Sequence, residues 1–451
     1  MGRSVNVVIG RKGSGKTAIF LQVRDRIRAN RLNVVVDLNP EGYQLLKLKE
    51  VMVKFTSFGV RKEFIAAFWQ YVLWLEVANK LLEKDKPASL RDHIVAERFS
   101  KLEALFRNRV DTGAGDFSER LTLLTDMIAS RFVEHNDKGN IFKSSDVLRI
   151  IYGPEISSVT DEIFSYLKLK GTLLILFDNL DRMRTPAGFY DDDAMIVLGL
   201  IEAMQEIAKS FRKHKLEFSW VVFLRSDVYV FVVKGMADYS KHQPKLLEWT
   251  DRDLLKRVLQ KRIMALLSGR VTNWEDTWRL ISTHMVKGKD TLEFLVDASL
   301  MRPRYLIRLF EGARRRAASM SRLKIQEEDY EASLQEIGWT IIDDLDAELS
   351  DVVRNSTQLV FDLNHLNGAC GLNELRDVIA NRVGATKAVE KVIEVLLWSG
   401  TIGIKSGVSP ATFIYNCGYK LAHLQSLMHV DPDVEICLHP TLANLRPKNS
   451  S

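Results

Sequence analysis

In the segment Gly10-Arg11-Lys12-Gly13-Ser14-Gly15-Lys16-Thr17, glycines recur ahead of a lysine and a hydroxyl, the G-x-x-x-x-G-K-[ST] spacing that wraps a triphosphate. Gly10, Gly13 and Gly15 permit backbone with φ > 0, so successive N–H groups can turn onto an anion, and a helix starting just after them adds its positive dipole end. Lys16 would bridge the β- and γ-phosphates. Thr17 offers a hydroxyl to Mg²⁺, whose hard oxygen shell phosphate oxygens and waters complete. Gly10 to Thr17, with Ala18 behind them, form the candidate nucleotide-binding set.

Magnesium at such a loop also needs a carboxylate. Leu173-Leu174-Ile175-Leu176-Phe177-Asp178-Asn179-Leu180-Asp181 supplies one, because an apolar strand delivers Asp178 to the carboxyl edge of a sheet, where open α/β sheets bind ligands. Thr17 and Asp178 are the candidate metal ligands. Asp181, a short turn later, could polarise an attacking water, join the outer metal shell or cap the next segment. Val221-Val222-Phe223-Leu224-Arg225-Ser226-Asp227 brings Arg225 to the same edge, as a γ-phosphate sensor or as the partner of Asp227. Lys16, Asp178, Asp181 and Arg225 are thus the candidate catalytic residues. Met301-Arg302-Pro303-Arg304 opens a helix with proline in its first turn, and Arg302 and Arg304 either face the nucleotide or stand in solvent.

The elements that must hold these groups follow from periodicity. Val5 to Ile9 is a short apolar run ending in glycine, and Ile19, Val23 and Ile27 then recur every four residues, which reads as strand, loop, helix. Asn33 to Asp37 is a second buried strand, and Thr172 to Phe177 and Ser219 to Leu224 are further ones, separated by a helix from about Ala194 to Phe211. This alternation predicts a doubly wound α/β sheet. Residues 60–168 read as a helical insertion with turn breaks near Pro87 and Gly113 to Gly115, its aromatics Phe64, Phe68, Trp69, Tyr71 and Trp74 forming core. Beyond Trp249 helical faces follow one another, giving an all-α lid over 249–350. Helices near Thr357 to Leu366, Leu372 to Arg382 and Thr386 to Trp398, then a hairpin of Thr401 to Ile404 with Thr412 to Tyr415, predict a winged-helix domain over 351–436, and 437–451 a frayed tail. The P-loop core itself is expected over 1–248.

Composition removes several classes. At 451 residues and 46% hydrophobic content the chain can bury more than one core. No apolar run approaches the ~18–20 residues of a membrane span, and no leader precedes the first strand, so a soluble cytoplasmic protein is expected. Cys370, Cys417 and Cys437 show no metal-ligand spacing. A net charge of +6 leaves nucleic acid open as a partner without implying it. Asp191-Asp192-Asp193 reads as a solvated helix start and Arg314-Arg315-Arg316 as a solvated face, and Lys387 and Lys391 stand beside Glu390 and Glu394.

Gly10 to Thr17, Phe177-Asp178-Asn179-Leu180-Asp181-Arg182, Leu224-Arg225-Ser226-Asp227, Glu248-Trp249 with Leu254 and Arg262-Ile263, and Arg302-Pro303-Arg304 together resemble the STAND and KAP-type P-loop ATPases, a branch related to AAA+ proteins. The likeness spans roughly residues 5 to 320, and the trailing winged helix is similar in order to origin-recognition-type ATPases. KAP proteins carry Asp-Asp-Leu-Asp-Arg where this chain has Asp178-Asn179-Leu180-Asp181-Arg182, they usually carry membrane helices, and the AAA+ Asp-Glu pair is missing. The resemblance implies ATP as the nucleotide, a homo-oligomer or switch driven by hydrolysis, and work in antiphage defence or DNA transactions. A nucleotide-regulated winged-helix DNA-binding protein and a scaffold recruiting an effector protein are the competing readings.

Overall fold

The computed structural model describes residues 6–56, 60–107, 115–135, 143–153, 156–180, 191–226, 228–229, 244–267, 273–350, 359, 362–363, 369–383, 386–407, 409–430, 434–443 and 445. Two compact units divide them. One takes the described residues up to Gly10 and from Lys16 to Leu246, and the other takes Arg11–Gly15 and the described residues from Leu247 onward.

The first unit is built on a parallel sheet of β1 (Val7–Gly10), β2 (Val34–Leu38), β3 (Leu173–Phe177), β4 (Phe218–Arg225) and β5 (Lys245–Leu246), in the order β2-β3-β4-β1-β5. Alternate residues of each strand feed opposite faces. Val35, Leu174, Leu176 and Phe223 pack under Phe20 of α1 (Lys16–Arg28), while Val34, Val36, Leu173, Ile175 and Phe177 enter the larger core on the other side. A sheet buried on both faces explains why its strands read as unbroken apolar runs. This is the α/β P-loop NTPase architecture, followed by a largely helical second unit.

Between β2 and β3 lie α2 (Gly42–Phe55), α3 (Arg61–Ser89), α4 (His93–Arg107), α5 (Phe117–His135), α6 (Ser144–Tyr152) and α7 (Ile156–Leu167). The expected aromatic core is there: Phe64, Phe68, Trp69, Tyr71 and Trp74 are all buried, and the Trp69 ring meets Phe177 edge-on at 5.4 Å. Pro87 does not break the helix as expected. It sits in the last turn of α3, two residues before the helix ends, so the hydrogen bond its missing N–H gives up and its clash with the preceding turn come only where the helix stops. Asp193, expected in solvent at the start of α8 (Asp191–Lys213), is buried and ion-paired with Lys49 at 2.8 Å.

The second unit continues with α9 (Arg252–Leu266), α10 (Trp274–Ile281), α11 (Thr291–Ala298), α12 (Pro303–Ser319) and α13 (Glu327–Leu349). A short hairpin of β6 (Met285–Val286) and β7 (Lys289–Asp290) interrupts this helical stretch. A smaller module follows: β8 (Ala369–Gly371), α14 (Leu372–Val383), α15 (Thr386–Ser399), β9 (Ile402–Lys405), α16 (Leu421–Val430), β10 (Glu435–Leu438) and α17 (Pro440–Ala443). Its strands pair antiparallel in the order β8-β10-β9, the winged-helix arrangement. The expected hairpin is corrected here. Thr412 makes one isolated bridge to Ile404, Ile414–Cys417 turn into a 3₁₀ helix, and the ladder partner of β9 is β10. β10 and α17 also carry ordered structure past 437, where fraying was expected, because Ile436 and Leu442 are buried in the core of the unit. The helix expected over Thr357 to Leu366 lies mostly outside the described residues.

No helix among the described residues is long and apolar enough to cross a membrane.

Candidate nucleotide site

Strand β1 ends at Gly10, and α1 begins at Lys16, so the glycine segment is the strand-to-helix turn. Gly13 (φ +82) and Gly15 (φ +101) occupy left-handed backbone that a side chain would strain. Gly10 does not. It stays extended because it is in ladder register with Arg225, which corrects the expectation that all three glycines bend the loop.

In the first unit Lys16 donates from Nζ to the Gly10 carbonyl at 2.8 Å, so the ammonium lies over the loop. Thr17 Oγ1 donates to Asp178 Oδ2 at 2.8 Å. Asp178 follows β3 directly, its own N–H bonded to the Leu38 carbonyl and its Oδ1 accepting from the N–H of Asn179, whose φ of 65 turns the chain sharply away. The carboxylate is buried. Since β4 lies between β1 and β3, the strand carrying Asp178 is not the neighbour of the one carrying the loop; the first turn of α1 bridges the gap. Arg225, at the end of β4, is buried alongside Gly10, and the hydroxyl of Ser226 after it is buried with no hydrogen-bond partner among the described residues. Asp181 and Asp227 lie outside the described residues.

Arg11 to Gly15 belong to the second unit, whose side chains hold them closely. Glu248 accepts from the Arg11 backbone N–H at 3.1 Å and from its Nε at 3.0 Å. Lys12 pairs with Asp344 at 2.6 Å. Burial opposes ionisation of Asp344, but Lys12, Tyr305 and Arg304 hold its carboxyl below the usual carboxylate range. Trp249 Nε1 donates to the Ser14 carbonyl at 2.9 Å, and the Arg304 N–H to that of Gly13 at 3.4 Å.

The two arginines at the start of α12 separate. Arg302 is buried, with bonds to the carbonyls of Lys12 (3.4 Å) and Ser399 (2.8 Å) and an ion pair with Glu348 at 3.5 Å. Its guanidinium frames the loop backbone. Arg304 is exposed, and its Cβ would lie 3.2 Å from a Cβ placed on Gly13. In sequence Glu248 is marked only as part of the family resemblance, and Asp344, Ser399 and Tyr419 have no local motif that marks them; the fold brings all four to the loop.

The residues fit a nucleotide and its metal. Ser14 Oγ is buried without a hydrogen-bond partner among the described residues, in a loop whose Gly13 and Gly15 take left-handed backbone. A threonine hydroxyl and a carboxylate 2.8 Å apart are the hard oxygen donors that Mg²⁺ takes from proteins, one or two at a time.

Among known families, the one described as the FunZ-associated C-terminal helical domain matches residues 253–346, the stretch that carries Arg302, Arg304 and Asp344. The transposon gamma-delta 80.3 kDa protein of Escherichia coli K12 is 23% identical over 349 residues, covering 75% of this chain and 46% of that protein. The chain therefore spans less than half the length of this relative. The crystal structure of Cdc6p from Pyrobaculum aerophilum covers 94% of this chain and 87% of its own at 11% identity, with a TM-score of 0.34. So distant a likeness adds nothing to the fold assignment, which stands on strand order and on the glycine turn.

Proposed function

We propose that this chain binds ATP with Mg²⁺ at Gly10 to Thr17 and Asp178, and hydrolyses it to switch its own conformation. One observation carries the reading: the Thr17 hydroxyl, first turn of the helix after the glycine loop, meets the buried Asp178 at the carboxyl end of β3. In that role Lys16 leaves the Gly10 carbonyl for phosphate oxygens, Ser14 and the loop N–H groups receive the anion, and Arg225, in ladder register with Gly10, supplies positive charge near it. Bound Mg²⁺ would neutralise phosphate charge. Asp178 and Thr17 orient that ion, and Asp181 remains the candidate to polarise water.

The test is phosphate release and nucleotide binding by the full chain. Lys16→Ala should lose turnover by about 100-fold or more, the scale of removing one group that stabilises developing charge. Turnover at the wild-type rate in a folded Lys16→Ala protein would end the proposal.

From the family resemblance we extend this to a cytoplasmic homo-oligomer whose nucleotide state controls an effector protein, with antiphage defence as the setting. Plating efficiency of phage on cells carrying wild-type or Lys16→Ala protein checks it; equal protection by both removes nucleotide use from the biology. A winged-helix nucleic-acid reading has less support. Of the lysines that would touch phosphates, Lys391 is ion-paired with Glu394 at 2.9 Å and Lys405 with Glu435 at 2.8 Å, and the Lys387 side chain lies outside the described residues. That reading requires DNA affinity that falls steeply with salt.

A further inference from the structure

Arg11 occupies one of the unspecified positions of the glycine motif, yet among the described loop residues it has the most elaborate surroundings. Its side chain and that of Glu248 are 2% and 4% exposed. A buried ion pair is stabilising only when further hydrogen bonds satisfy both partners. Here they do: Arg11 Nη1 donates to the Ser399 carbonyl at 3.3 Å, and Nη2 to the Leu300 carbonyl at 3.5 Å and to the Tyr419 hydroxyl. The guanidinium also stacks over the Tyr419 ring, 4.4 Å from its centre.

Each partner is itself held under constraint. Tyr419 has φ 59, Leu300 φ 51 and Met301 φ 55, left-handed backbone that costs a non-glycine residue energy unless its surroundings compel it. The Tyr419 hydroxyl accepts from Arg11 and donates to the Trp249 carbonyl at 3.3 Å, while Trp249 in turn holds the Ser14 carbonyl. Ser399 ends α15, and Gly400 follows in left-handed backbone. Arg11 and Arg302 thus bring two guanidinium groups to the last carbonyl of that helix, where unpaired C=O groups and the negative dipole end favour cations. Arg11 therefore joins the loop to the helix end and wing of the carboxy-terminal module by one side chain.

We propose that Arg11 is a positioning residue through which the winged-helix module sets the conformation of the glycine loop, and through which nucleotide binding is felt at Tyr419. The consequence for affinity rests on the ATP-binding reading; the anchoring itself does not. A loop already held in its bound form loses less freedom on binding, so the anchor raises nucleotide affinity, and coupling between two sites is reciprocal.

The experiment uses the full chain as wild type, Arg11→Met and Tyr419→Phe. Tyr419→Phe keeps the ring and the Arg11–Glu248 pair, so it serves if Arg11→Met fails to fold. Without nucleotide, hydrogen exchange over residues 11–15 should quicken about ten-fold in Arg11→Met, whose melting temperature falls because Glu248 is left buried without its partner, and several-fold in Tyr419→Phe, whose melting temperature is retained. A methylanthraniloyl-labelled ATP should bind about ten-fold and about three-fold more weakly respectively, the loss falling more on KM than on kcat. In wild type the same ligand should slow exchange over residues 414–419, and in Arg11→Met it should not. Unchanged loop exchange in folded variants overturns the anchor, and unchanged affinity overturns the coupling. If wild type binds no labelled ATP, the ATP reading and the coupling fall together, while the exchange data still decide the anchor.

Discussion

Thr17 and Asp178 show how little a side chain's chemistry depends on distance along the sequence. They lie 161 residues apart, and their 2.8 Å contact places a hydroxyl and a carboxylate where one cation can use both. Asp178→Asn keeps the shape and the bond from the Asn179 N–H but removes the charge. Retained nucleotide binding with turnover lowered about 100-fold is expected, read from binding titration beside phosphate release. Gly13 and Gly15 give a second, sharper comparison. Both have positive φ, but a Cβ on Gly15 would meet nothing within 4 Å, whereas one on Gly13 would meet Arg304. Gly15→Ala should therefore show the left-handed backbone penalty alone, roughly 1–2 kcal/mol. Gly13→Ala adds crowding against Arg304, so nucleotide affinity should fall further than in Gly15→Ala; equal losses would exclude a close Arg304.

Among the elements, close packing decides what a residue can become. Gly199 on α8 lets α3 approach until a Cβ would lie 2.2 Å from Ile65 Cγ2. Gly199→Ala should cost about 1–3 kcal/mol of overpacking, measured as a lower urea midpoint with an unchanged slope. The end of β10 makes a different kind of demand. His439 accepts from the Thr441 N–H at Nδ1 (3.2 Å), and its Nε2 meets the Tyr415 hydroxyl at 3.2 Å. Burial pushes the imidazole down to about 3, against the opposing pull of Asp297. Above pH 6.5 folded and unfolded chains both hold it neutral, and its contribution is complete. Between about 6.5 and about 3 the unfolded chain takes up a proton that the folded chain refuses, so stability falls as pH falls, by up to about 1.4 kcal/mol per pH unit. Urea midpoints at pH 7.5 and 5.5 should separate more in wild type than in His439→Asn; identical separations would mean that the imidazole titrates normally.

At the scale of the whole chain, ligand binding should appear as stability, because a nucleotide that binds only the folded state shifts unfolding by mass action. At free ATP near 100 times its dissociation constant the gain is about 2.7 kcal/mol, visible as a raised melting temperature that Lys16→Ala should lack. The glycine turn, its strand and helix, and Asp178 after an apolar run were legible in sequence because each is set by local chemistry: glycine's free φ, a period of two or four, and an acid where an apolar stretch ends. The aromatic face of α3 was legible for the same reason. Tertiary structure alone decided which strands are neighbours, that Gly10 stays extended beside Arg225, and that the ladder partner of β9 is β10, with Thr412 adding a single bridge. It alone decided the surroundings of Arg11, whose partners Glu248, Leu300, Ser399 and Tyr419 lie 237 to 408 residues away. A side chain's type limits the bonds it can make, but the identity of a distant partner is chosen by packing summed over the whole fold, and no short window of sequence contains that sum.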